Sequence, residues 1–237
     1  MDIIDLHAHI LPGVDDGARD LEESRAMLRA AYDQGTRRII ATPHYSRRRG
    51  SAGLKELTAQ LCALAREIDP DFEVLSGQET YYYEGLAEAL KSGHALTLAG
   101  SRYVLVEFDP GVPYQKLYQG VRKLTMARFI PVLAHVERYA CLRDGGNFKE
   151  LARCDCRFQM NYDSLAGAFF DSGVRWCRKQ VAEGKIHVLG TDMHRMDYRK
   201  PELAKPMAWL LKHVGERQLK AMVWDNPLAI IKNERMG

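Results

Sequence analysis

Short apolar runs alternate along the chain with longer segments of helical spacing. The apolar runs are DIIDL, RRIIAT, FEVLSG, RYVLVEF, FIPVLAH, RFQMN and IHVLGT. Their length and β-branched content predict strands. Helices are predicted between them by LEESRAMLRAAYDQG, LKELTAQLCALAREID, YQKLYQGVRKLTMA and VRWCRKQVAEGK, in which apolar residues recur every three or four positions. The first helix is predicted to begin after Asp20 and to end at Gly35.

The order of these elements predicts the fold class. Strand followed by helix, repeated about seven times, is typical of a parallel sheet with helices on its outer face. The 237 residues fit one domain over 1–237, since no linker or repeat divides them. No GxGxxG follows the first strand, which favours a closed or partly closed barrel over an open doubly wound sheet. We therefore expect an α/β fold of barrel type.

Composition excludes several classes of partner. The net charge of +3 is too small to indicate nucleic-acid binding. No apolar run approaches the roughly 20 residues that would cross a bilayer, and an N-terminus with Asp2 and Asp5 is not a signal peptide. The five cysteines are odd in number and form no CxxC pair, which is typical of reduced thiols. These features predict a cytoplasmic protein that does not insert into membranes.

Histidines and carboxylates follow the predicted strands, one group after another. The candidates are His7, His9, Asp16, His44, Glu79, Glu107, His135, Asp192 and His194. Because the carboxyl ends of parallel barrel strands open on one rim, these side chains are expected to converge there. Imidazole and carboxylate without thiolate suit divalent Zn, Mn or Fe, and nine candidates are enough for two or three ions.

Each single motif also has a simpler interpretation. An isolated HxH pair is a weak metal signal, and a carboxylate after a strand often caps a helix or faces solvent. Glu107 differs because it closes the apolar run YVLVEF, where an unpaired carboxylate would be costly. His94, His187 and His213 fall outside the pattern and are expected to be structural or solvated.

Six segments together resemble one known family. DLHAHILPGVDDG, IIATPHY, GQE, YVLVEF, PVLAHVERY and GTDMH are similar in order and spacing to the polymerase-and-histidinol-phosphatase (PHP) family. More narrowly, they resemble its bacterial manganese-dependent tyrosine phosphatases, which accompany capsule and exopolysaccharide genes. The resemblance covers nearly the whole chain. It implies a distorted (β/α)7 barrel of PHP type, with a trinuclear metal site at the C-terminal rim.

The resemblance also assigns roles to individual residues. It implies that the nine candidates above are metal ligands, with Asp16 favoured over Asp15. Manganese is the expected metal, with iron or zinc as alternatives. Among the basic residues after GTDMH, Arg199 is the better match to a catalytic position than Arg195 or Lys200. The implied substrate is a phosphotyrosine protein, in particular the tyrosine-rich tail of a bacterial tyrosine kinase.

The expected nucleophile is metal-activated water. None of the five cysteines has an arginine six positions later, as the C-x5-R loop of thiol phosphatases requires. There is also no GxSxG elbow and no Walker A lysine. Arg138, three residues after His135, is predicted to bind the phosphate with its guanidinium fork, the alternative being a surface salt bridge. The sequence assigns no general acid.

Other functions remain open at this stage. The same metal chemistry would serve another phosphate monoester, such as histidinol phosphate. A non-catalytic module with a metal-stabilised barrel is disfavoured, because no candidate ligand is eroded. The segments HYSRRRG, with Arg47–Arg49, and ETYYYEG, with Tyr81–Tyr83, either contact an acidic, tyrosine-rich peptide or form an ordinary solvated and packed surface.

Overall fold

The computed structural model describes residues 1–143, 145–168 and 170–236, which fold into parallel strands and helices. The strands are β1 Ile3–Ala8, β2 Thr36–Ala41, β3 Glu73–Ser76, β4 Glu79–Tyr81, β5 Tyr103–Glu107, β6 Ile130–Leu133, β7 Arg157–Asn161 and β8 Val188–Gly190. The helices are α1 Leu21–Asp33, α2 Leu54–Ile68, α3 Leu86–Lys91, α4 Tyr114–Met126, α5 Gly145–Ala152, α6 Ser172–Ala182, α7 Ala204–His213, α8 Glu216–Lys220 and α9 Asn226–Ile231.

All seven predicted strand segments contain a strand, and all four predicted helical segments contain a helix. The start of α1 is confirmed in detail, because the Asp20 side chain accepts a hydrogen bond from the Glu23 amide. Its end is confirmed as well, since Gly35 follows the helix with φ of +101°, a conformation that favours glycine.

One strand assignment is wrong. The sequence pattern places Glu79 at the end of the third predicted strand, FEVLSG, but β3 stops at Ser76 and Glu79 opens β4, which pairs with β5. The break falls at Gly77, where a Cβ atom would lie only 2.9 Å from Cγ2 of Ile40. The chain can pass this close to β2 only without a side chain, and it then crosses into the other sheet.

The strands form two parallel sheets that meet at their edges. One sheet has the order β1-β2-β3 and the other β4-β5-β6-β7-β8. Isolated parallel bridges connect them, one between Ala8 and Met193 and one between His44 and Glu79. The Asp192 amide also donates to the carbonyl of His7 at 2.8 Å. These connections bring the carboxyl ends of strands from both sheets together.

Packing on both faces of the strands explains their continuous apolar runs. Tyr103, Val104, Leu105 and Val106 of β5 are all fully buried. Strands covered on both faces read as uninterrupted apolar sequence, as in other α/β proteins. Among the described residues, no helix has the length and apolar character that a membrane crossing requires.

Candidate metal centre

The nine predicted ligands lie together at the carboxyl ends of the strands. Seven of them line a cavity of about 310 Å³, and His7 and His9 are fully buried at its base. They reach this place because β5 ends in a candidate and β4 begins with one, while β1, β2, β6 and β8 are each followed within three residues by one. The predicted convergence on one rim is confirmed, although metal binding by these residues stays a prediction.

One group of four side chains has a regular geometry. The Nε2 atoms of His7 and His9 are 3.3 Å apart, and each lies 3.3 Å from Oε2 of Glu79. Oδ1 of Asp192 lies 3.4 Å from the first nitrogen and 3.5 Å from the second. These are five of the six edges of the four-atom group, and a regular tetrahedron with edges of this length has its centre about 2.1 Å from each corner, the distance at which these atoms bind Zn²⁺. The donor set and its spacing therefore fit a divalent ion.

Two further groups adjoin the first. In one, Oδ1 of Asp16 lies 3.6 Å from Nε2 of both His44 and His194, with His9 completing the group. In the other, Nδ1 of His44 lies 3.2 Å from Oε2 of Glu79 and 3.5 Å from Oε1 of Glu107. Glu79 is shared between groups, as a carboxylate that bridges neighbouring ions would be.

His135 joins the centre from β6. Its Nε2 atom lies 2.9 Å from Oε1 of Glu79 and 3.5 Å from Oε2 of Glu107. Its Nδ1 atom is buried and has no hydrogen-bond partner among the described residues. The imidazole therefore has its clearest polar contacts on the side that faces the carboxylates.

Burial and opposite charge control ionisation in the centre. Burial alone would raise the pKa of Glu79, but His7, His135 and His9 outweigh it and lower that pKa well below the usual range. The pKa of Asp192 is also lowered, because His7, His9 and Arg138 outweigh its burial. Both carboxylates are therefore in the ionised form that binds cations.

The two neighbouring aspartates have different positions. Oδ2 of Asp15 lies 2.8 Å from Nδ1 of His9. The same oxygen accepts a hydrogen bond from the backbone amide of His44 at 2.8 Å. These contacts outweigh burial and lower the pKa of Asp15 to about 2. Asp16 is exposed and faces His44 and His194. The geometry thus supports Asp16 as the ligand and Asp15 as the group that orients His9.

Sequence reasoning missed two polar residues of β7. Oε1 of Gln159 accepts the amide of His135 at 2.7 Å and lies 3.2 Å from Nδ1 of His7. The side-chain Nδ2 of Asn161 donates to Oδ2 of Asp192 at 2.9 Å. Both side chains leave the same face of RFQMN, and two buried polar residues at alternate positions were the signal that was available.

Arg138 and Arg199 both reach the outer oxygen of Asp192. Arg138 donates to Oδ2 at 2.6 Å and Arg199 at 3.3 Å. The surface salt bridge that was the alternative for Arg138 is wrong in one respect, because its carboxylate partner is buried. Each arginine side chain is about one-third exposed and lines the cavity, so each would also face a ligand that binds there.

Left-handed backbone occurs at three residues of the cavity. His135, Asp192 and Arg199 have φ of +33°, +52° and +55°. Such values are uncommon for residues other than glycine, and they concentrate at functional sites where the surrounding structure maintains them. Here they turn two candidate ligands and one arginine towards a common centre.

The tyrosine and arginine segments divide into separate contacts. Tyr83 is covered by the Arg47 guanidinium, 3.9 Å from its ring centroid. Tyr82 stacks on Phe108 with centroids 4.9 Å apart. Tyr81 alone of the three tyrosines lines the cavity of the candidate ligands, and it is 51% exposed.

The remaining histidines have local partners. His94 lies 3.1 Å from the carbonyl of Arg47, and exposed His213 lies 2.8 Å from the carbonyl of Trp209. Nδ1 of His187 accepts the amide of Phe158, and burial lowers the pKa of this histidine to about 4. The expectation that these three histidines lie outside the site is confirmed, since none lines the cavity.

Comparison with known proteins gives matches over the full chain. A profile of the CpsB/CapC family, described as capsular polysaccharide synthesis, matches residues 3–232. The tyrosine-protein phosphatase CpsB of Streptococcus pneumoniae is 32% identical over 98% of this chain and 99% of its own. A crystal structure from work on YwqE of Bacillus subtilis and CpsB, described as unique metal-dependent tyrosine phosphatases, has a TM-score of 0.89 at 30% identity, covering 99% of this chain and 96% of that one.

A more distant match concerns the fold alone. The lactonase Lmo2620 of Listeria monocytogenes has a TM-score of 0.63 at 12% identity, over 99% of this chain and 95% of that one. The parallel α/β architecture is therefore shared with hydrolases that have little sequence in common with this chain.

Proposed function

Because the chain belongs to the CpsB/CapC family of capsular polysaccharide synthesis, we propose that it is a metal-dependent tyrosine phosphatase. The observation that carries this proposal is the four-atom group of His7, His9, Glu79 and Asp192, whose spacing fits a divalent ion. Full-length similarity to proteins named as tyrosine phosphatases supplies the substrate class.

We further propose that the three groups hold two to three divalent ions, with manganese expected first and iron or zinc as alternatives. Bound ions would supply an activated water as nucleophile and positive charge opposite the phosphate. The order and spacing of the six sequence motifs support the wider assignment to the PHP family. The bridges between the two sheets support a distorted barrel with the ions at its carboxyl rim.

The chain's own residues would bind and orient the phosphate. Arg138 and Arg199 point planar N–H groups into the cavity, and a guanidinium fork can bind two phosphate oxygens together. Asp15, Gln159 and Asn161 keep the ligand side chains in place. A tyrosinate leaving group has a pKa of about 10, so it needs less protonation than an alkoxide.

The proposed substrate is the tyrosine-rich tail of a bacterial tyrosine kinase. Arg47, Arg48 and Arg49 lie three to five residues after His44 and are exposed. Arg49 donates to the carbonyl of Val14, which brings this basic segment beside Asp15 and Asp16. Positive side chains at this edge of the cavity suit a peptide with acidic residues near its phosphotyrosine.

Metal dependence and substrate class are tested in one comparison. The purified protein is expected to carry two to three divalent ions per chain and to hydrolyse a phosphotyrosine peptide faster than histidinol phosphate. Chelation should lower kcat/KM by more than about 100-fold, because the nucleophile and the phosphate would lose the ions together. Ion content is measured by mass spectrometry and activity by phosphate release. Full activity without metal would refute the proposal. Faster turnover of histidinol phosphate would instead show that the enzyme acts on a small phosphate monoester rather than on phosphotyrosine.

A second expectation concerns the thiols. All five cysteines are free, and burial raises the pKa of Cys156 and of Cys177 to about 12, so both are protonated at neutral pH. A variant with every cysteine replaced by serine or alanine should therefore retain most of its phosphotyrosine activity. Thiol alkylation of the native protein should spare activity where chelation removes it. A trapped phosphocysteine, or loss of turnover in a folded and metal-loaded variant, would contradict a water nucleophile.

A further inference from the structure

The cavity over the candidate ligands has one apolar side. Ten of its lining residues are histidines, arginines or carboxylates, and the others are Tyr81, Phe108 and Pro110. A phosphate held by the ligand groups and Arg138 would occupy the polar floor. The organic part of the ester must then leave towards the mouth, where these three residues offer apolar contact.

Tyr81 is positioned by the same short strand as Glu79. The two residues are two apart on β4, and alternate residues of a strand leave the same face. Glu79 is 1% exposed, whereas Tyr81 is 51% exposed. The strand therefore runs from the base of the site, where Glu79 lies, to the mouth, where the Tyr81 ring lies. Tyr81 is also paired in register with Glu107, another candidate ligand.

The surface behind the ring is rigid. Phe108 is only 5% exposed and stacks on Tyr82 with centroids 4.9 Å apart. Gly120 of α4 packs so closely that a Cβ there would lie 2.8 Å from the Phe108 ring. The Phe108 amide donates to the Tyr139 hydroxyl at 3.1 Å. This side of the cavity is therefore preformed for a ligand, which keeps the ordering cost of binding low.

We propose that Tyr81, with Phe108 and Pro110, binds the aromatic ring of the substrate and so selects aryl over alkyl phosphate esters. The inference rests on the proposed phosphatase function and adds a specificity residue to it. A flat ring leaving the polar floor would cover the exposed face of Tyr81. An alkyl phosphate such as phosphoserine has no ring to make this contact.

The test is a ratio of rate constants. In wild type and in Tyr81→Ala, kcat/KM is measured for a phosphotyrosine peptide and for the same peptide with phosphoserine. The different leaving groups contribute equally in both proteins, so they cancel when the two ratios are compared. Loss of one aromatic contact should lower the tyrosine-to-serine ratio by about tenfold. Tyr81→Phe should retain the wild-type ratio, because it keeps the ring.

Two additional variants complete the design. Tyr118→Ala makes the same change at a ring on α4 that does not line the cavity, and its ratio should equal that of wild type. Tyr81→Leu keeps apolar volume without a ring, should lower the ratio as well, and replaces Tyr81→Ala if that variant folds poorly. If Tyr81→Ala and Tyr81→Leu are active and their ratio is unchanged, the role of Tyr81 is refuted while the proposed phosphatase function stands. Wild-type protein without phosphotyrosine activity would instead overturn the proposed function and the inference with it.

Discussion

Asp192→Ala is expected to lose bound metal and to lower kcat/KM on phosphotyrosine by more than about 100-fold. Replacement of a residue that only orients a metal ligand already costs up to about that factor, and Asp192 is proposed to be a ligand itself. Its Oδ1 lies with His7 and His9 in the tetrahedral group, while its Oδ2 accepts hydrogen bonds from Arg138 and Asn161. Asp192→Asn keeps the volume and should lose metal too, because the charge is removed.

The matched control for this loss is Asp197→Ala. Asp197 lies five residues later and is about half exposed, and it pairs with Arg19 and Arg195 rather than with a candidate ligand. Its metal content and activity should stay near those of wild type. Circular dichroism confirms folding, and elemental analysis after dialysis gives the ions per chain. A folded Asp192→Ala protein with a full metal complement would remove Asp192 from the ligand set.

Arg138→Ala is expected to lower kcat/KM by about 100-fold while most of the metal remains bound. A donor aimed at charge that develops in the transition state is worth about this much. Metal should remain because Asp192 keeps its contacts with Asn161 and Arg199. Arg138→Lys should restore activity only in part, since an ammonium group lacks the planar fork that can hold Asp192 and a phosphate at once.

Arg25→Ala provides the comparison for Arg138. Arg25 also donates to a carboxylate, Glu67, at 2.6 Å, but this pair is exposed and neither residue lines the cavity. Exposed ion pairs contribute about 1 kcal/mol or less, so activity and stability should change little. If Arg138→Ala unfolds the protein while its folded fraction has normal specific activity, Arg138 is structural and the phosphate role is excluded.

Local patterns were sufficient to predict the strands and the side chains that gather at their ends. His7 and His9 follow an apolar run, and Glu107 ends another, so each could be placed on the rim without knowledge of its neighbours. The parallel arrangement then determines that residues distant in sequence meet there. This is why the candidates came together as predicted.

Features that depend on contacts between residues distant in sequence could not be predicted from local patterns. The crossing of Glu79 into another sheet depends on a close approach to Ile40, and a three-residue strand has no measurable period. Gln159 meets His7 across 152 positions of sequence. Asp192 as the partner of Arg138 was missed because their side chains approach only after the sheets close.

The bridge between the two ends of the domain has a consequence for synthesis on the ribosome. His7 and Asp192 belong to one four-atom group, so the group cannot exist until Asp192 has been made. At about 5–20 residues per second, His7 is made roughly 9–37 s before Asp192. During that interval the first histidines have no complete set of partners. The centre is therefore completed only after β8 has been made, and a nascent chain stopped before β8 can hold only fragments of it.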